Sequence, residues 1–138
     1  MNSTKQHSGV NWLLPVFGIV VLIQSFPVHS HHSFAAHYFE EQSMTVRGEV
    51  AEFEYKSPHA WVHVLVKDEA GEVQRYSAEW SNPNRLQQLR ITKDTLRPGD
   101  FVIVTGSPGR NAAERKIHLK RLERPSDGWN WPRTSPRV

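Results

Sequence analysis

The sequence predicts a small all-β domain: a five-stranded OB-like barrel with a short helix between strands 3 and 4. Three observations predict it. Apolar and polar residues alternate at period 2 in separate runs, the signature of half-buried strands. Turn residues punctuate those runs at Lys56-Ser57-Pro58, Asp68-Glu69-Ala70-Gly71 and Arg97-Pro98-Gly99-Asp100. A helix start, Ser81-Asn82-Pro83-Asn84, falls between the third and fourth runs, the position of the helix in an OB barrel.

The first strand is expected over residues 43–55. Met44, Val46 and Val50 share one parity, whereas Ala51, Phe53 and Tyr55 have the other. A phase change near Val50-Ala51 predicts a bulge, and Gly48 allows a bend. Pro58 breaks the chain, because it has no N–H for a ladder. The second strand is expected from His59 to Lys67, with Ala60, Val62, Val64 and Val66 on the core face. Gly71 suits the hairpin that follows. The third strand, 72–80, carries Tyr76, Ala78 and Trp80 on one face. Ser81 or Asn82 caps the helix, with Pro83 at its first position, and residues 92–96 read as a second short helical turn. Pro98-Gly99 predicts a type II turn into the fourth strand, 101–106. A loop over 107–114 leads to the fifth strand, about 116–123. Residues 125–138 form a Pro- and Trp-containing tail, expected to run extended and to dock by Trp129 and Trp131.

The N-terminus is expected to lie outside this domain. Trp12–Ile23 is almost wholly apolar, about twelve residues, against roughly 20 for a bilayer span. Val28 and Ser30 occupy the −3 and −1 places of a cleavage site. Residues 1–30 therefore read as a signal peptide, residues 31–124 as the domain, and the mature protein as periplasmic or secreted, without a transmembrane segment after processing. The 138-residue chain has no cysteine, which excludes disulfides, thiolate metal sites and thiol catalysis. Its formal net charge of +3 is too small for a nucleic-acid footprint. Gly-x-Ser-x-Gly, His-Glu-x-x-His and Gly-rich phosphate loops do not occur, so an enzyme is the weaker reading.

Cleavage after Ser30 would leave His31 first and His32 second. A terminal His offers its α-amine and ring Nδ1 as a chelating pair, completed into a brace by a second imidazole. Such nitrogen donors suit Cu(II). The chain supplies that second imidazole at His59, the entrance of strand 2. His63 lies roughly 13 Å along an extended strand from it, so one ion cannot take both without a bend. Expected ligands for copper are His31 and His59, with His32 and Glu79 in reserve. His118 stands among Lys116, Lys120 and Arg121, whose charges oppose a cation. The alternative is a non-metal OB-type module binding a saccharide, envelope polymer or protein partner through Trp61, Trp80, Tyr76 and Arg85.

His-His-Ser-Phe-Ala-Ala (31–36), Pro-His-Ala-Trp (58–61), Glu79 with Pro-Asn-Arg-Leu (83–86), Leu-Arg-Pro-Gly-Asp (96–100) and Val-Ile-Val-Thr-Gly (102–106) resemble a family of small exported bacterial proteins of unknown function. The chain departs from that pattern at Ser57, where Asn is usual, and at Arg90-Ile91, where Gly-Trp is common. The resemblance implies export and the domain's extent, and it matches His31, His32, His59 and Trp61 to the family motif.

Overall fold

A computed structural model describes residues 34–133. The chain divides after Ser30, and all described residues belong to the second unit, His31–Val138. Among them are strands β1 (Met44–Glu54), β2 (Trp61–Lys67), β3 (Val73–Glu79), β4 (Phe101–Pro108), β5 (Lys116–Arg124) and β6 (Trp129–Trp131). Helix α1 is Phe34–His37 and α2 is Pro83–Gln88. The sheet order is β3-β2-β1-β4-β5-β6, and β3 also pairs with β5. That last pairing is parallel, Glu79 facing His118, and it closes β1 to β5 into a barrel. The fold is therefore the expected OB-like barrel, with one strand added.

β1 serves both halves of the barrel. It pairs with β2 and with β4, and its register slips between Val50 and Glu52. The slip is the bulge that the phase change predicts. It turns Val46 and Val50 inward before it and lets Phe53 pack on the core after it. Gly48 sits where a Cβ would lie 2.0 Å from the Leu65 carbonyl oxygen, so this crossing needs a residue without one.

The core holds Val46, Val50, Val62, Val64, Ala78, Val102, Val104, Ile117, Leu119 and Leu122 from the strands. Leu86, Ile91 and Leu96 belong to the same cluster. Each fully buried aliphatic side chain contributes about 1.5–3 kcal/mol, which a chain without disulfides depends on. Asn82 caps α2, its Oδ1 accepting from Arg85 N–H at 2.9 Å. At the other end Arg90 N–H donates to Gln87 and Ile91 N–H to Leu86. Arg90 adopts φ +60° there, a Schellman stop with a left-handed residue.

Three expectations need correction. Residues 92–96 form a hydrogen-bonded turn, Thr95 N–H to Thr92 O, rather than helix. β4 runs on to Pro108, so the loop after it is shorter than expected. The tail docks through its tryptophans as expected, Trp131 meeting Trp80 edge to face at 5.0 Å, but Trp129–Trp131 also pairs with β5 as a sixth strand, β6, beyond the five expected.

Candidate metal centre

His59 owes its position to the break before β2 and to two backbone bonds after it. Trp80 N–H donates to Ala60 O at 2.8 Å, and Ala60 N–H to Ser81 O at 3.0 Å. These continue the β2–β3 ladder past Trp61–Glu79 and set His59 diagonally across from Glu79 on the same face, within side-chain reach.

His59 Nδ1–H donates to Glu79 Oε1 at 2.5 Å. Tyr38 O–H donates to the other oxygen, Oε2. Both oxygens of Glu79 are thus engaged, and its side chain is 14 % exposed. Tyr38 is buried. That burial, then the hydrogen bond to Glu79, pushes its phenol far above the usual range, so it remains a donor. With Nδ1 committed, His59 presents Nε2. An imidazole held this way by a carboxylate is the arrangement that fixes a metal ligand's tautomer and raises its basicity.

The N-terminal segment is fastened beside this pair. Phe39 N–H donates to Pro108 O and Arg110 N–H to His37 O, while Arg110 Nε–H donates to Ala35 O. The Phe34 ring then lies 5.5 Å from the His59 ring and stacks on His118 at 3.8 Å, with an interplanar angle of 9°. His118 Nδ1–H donates to Glu40 Oε1 at 2.6 Å, and Lys120 donates to Glu40 Oε2 at 2.6 Å. Burial alone would raise the Glu40 carboxyl, but the bonds from Lys120 and His118 outweigh it and hold the group below its usual range. A second imidazole–carboxylate pair therefore flanks the same phenyl ring. A cleft of about 390 Å³ opens here, lined by Phe34, His59, Trp80, Arg85, His118 and Trp131.

His118 is the residue that sequence reasoning set aside. Its basic neighbour Lys120 is paired with Glu40, and the β3–β5 closure brings His118 opposite Glu79. No local signal in the sequence reveals a partner 78 residues away. Among the described residues, no third His, Asp or Glu donor joins His59 and Glu79 within ligand reach. His31 and His32 lie outside the described residues. His63 stands apart, its Nδ1 2.9 Å from Ser77 Oγ.

The four residues of the polymer-binding alternative do not share one face. Tyr76 and Trp80 pack with the core. Trp61 pairs with Glu79 on the opposite parity and lines a separate cleft of about 340 Å³ with Arg110 and Lys116. Arg85 is exposed on α2 and lines the His59 cleft.

Fold and site together define a class: an OB-like barrel carrying a carboxylate-oriented histidine at the entrance of its second strand. The chain belongs to a protein family of unknown function, DUF6152, matched over residues 20–118. A comparison with curated proteins found no match. No described helix is long and apolar enough to cross a membrane.

Proposed function

We propose that the protein is exported and binds one copper ion. The ligands are the amine and ring Nδ1 of His31, made N-terminal by cleavage after Ser30, together with His59 Nε2. The observation that carries this reading is the 5.5 Å approach of the Phe34 and His59 rings. His31 is only three residues before Phe34, and three residues span at most about 11 Å. A mature chain beginning at His31 is therefore long enough to carry its terminus to the imidazole nitrogen that Glu79 leaves free, which supports the reading.

Three nitrogens favour Cu(II) over the other common divalent ions, and they leave a position for water. Such a site serves copper delivery, storage or redox chemistry. Glu79 acts in this scheme by orienting His59, since its oxygens are already engaged, and His32 stays a reserve ligand. The polymer-binding reading has less support because its aromatic and basic residues are divided between two clefts and the core.

Electron paramagnetic resonance of the Cu(II)-loaded mature protein tests the ligand set. Coupling to three nitrogens is expected. A variant keeping one extra glycine before His31 should lose the amine–imidazole chelate and change the spectrum. An identical spectrum from that variant would rule out the brace.

A further inference from the structure

A second group of donors lies on the outer face of the barrel, around His63, four residues along the chain from His59. The bulge in β1 sets Glu52 opposite His63, and Glu54 follows two residues on. One ligand atom from each of Glu52, Glu54 and His63 can be chosen so that all lie within 4.8 Å of one another. The His63 side chain is 12 % exposed. Its Nδ1 is 2.9 Å from Ser77 Oγ. Its Nε2 is buried with no hydrogen-bond partner, although Glu54 Oε1 lies 3.5 Å away.

We propose that Glu52, Glu54 and His63 hold a divalent ion of the zinc type, independently of the N-terminal copper site. The 3.5 Å gap between Nε2 and Oε1 is too long for a good hydrogen bond. It fits the edge of a tetrahedron: metal–ligand bonds of about 2.1 Å place neighbouring donors about 3.4 Å apart. An ion between them would satisfy the buried nitrogen and both carboxylates, with water as the fourth ligand. One imidazole and two carboxylates form a donor set that zinc accepts. Burial, then the nearby Arg75 charge, lowers the His63 pKa, which keeps the ring in the neutral form that ligates.

Two cations currently balance the carboxylates. Lys56 is 2.7 Å from Glu54 and Arg75 is 3.1 Å from Glu52, with Lys56 65 % and Arg75 48 % exposed. Such exposed pairs are weak and screened, so an arriving dication displaces them into solvent at little cost.

Zinc titration of the metal-free mature protein against a chromophoric chelator tests the site. Wild type and His59→Ala are both expected to take up Zn²⁺ there, whereas His63→Gln and Glu54→Gln should bind it at least tenfold more weakly. Uptake unchanged in His63→Gln, or lost in His59→Ala, would overturn the proposal. Should His63→Gln not fold, NMR of the wild type replaces it. Zinc must then shift the His63 ring and Ser77 resonances, and shifts confined to other residues would refute the site.

Discussion

His59 and Glu79 are joined through Nδ1 at 2.5 Å, while Tyr38 occupies the remaining Glu79 oxygen. In the proposed copper site this pair would supply a ligand whose orienting carboxylate is already in place. Replacing Glu79 with Gln should therefore lower copper affinity without abolishing it, by about 10–100-fold as for other carboxylates behind a ligating histidine. Competition with a copper-binding chromophore measures this. Affinity equal to wild type would remove Glu79 from the site.

His63 predicts a pH dependence of stability. Burial, then Arg75, depresses its folded pKa below the 6.5 of the unfolded ring. Above pH 6.5 the ring is neutral in both states. As pH falls below 6.5 the unfolded chain takes the proton first, so stability drops until the folded value is passed. Urea midpoints between pH 8 and 5, with chelator present, should fall less steeply for His63→Gln than for wild type. Parallel slopes would contradict the assignment.

Arg90 holds φ +60° at the end of α2, where a side chain is strained. Arg90→Gly should stabilise the domain by about 1 kcal/mol, read from denaturant unfolding. A loss of stability would show that the Arg90 side chain contributes more than its backbone costs.

Gly106 lies against β5 where a Cβ would be 2.1 Å from the His118 carbonyl oxygen. Gly106→Ala forces β4 and β5 apart beside the His118–Glu40 pair. A destabilisation of about 3 kcal/mol or more is expected from such overpacking. A thermal melt matching wild type would contradict this packing.

The sequence makes the barrel legible because its signals are local. The phase change at Val50-Ala51, Gly71 in the hairpin and Asn82-Pro83 at the helix each act within a few residues, and each forms the expected feature. His59 and Glu79 are both legible as polar residues in or beside apolar strands, but their hydrogen bond follows from strand register. His118 is hidden because its partner Glu40 comes from the N-terminal segment. β6 is hidden for a related reason: three residues, two of them Trp, carry no periodicity, and what makes them a strand is the pairing with β5.

The most direct test of the central claim is the intact mass of the exported, untagged protein, taken with a Cu(II) titration of wild type and His59→Ala. The expected result is a chain that begins at His31 and binds one copper tightly, with that binding lost in His59→Ala. A different N-terminus, or copper binding indifferent to His59, would contradict it.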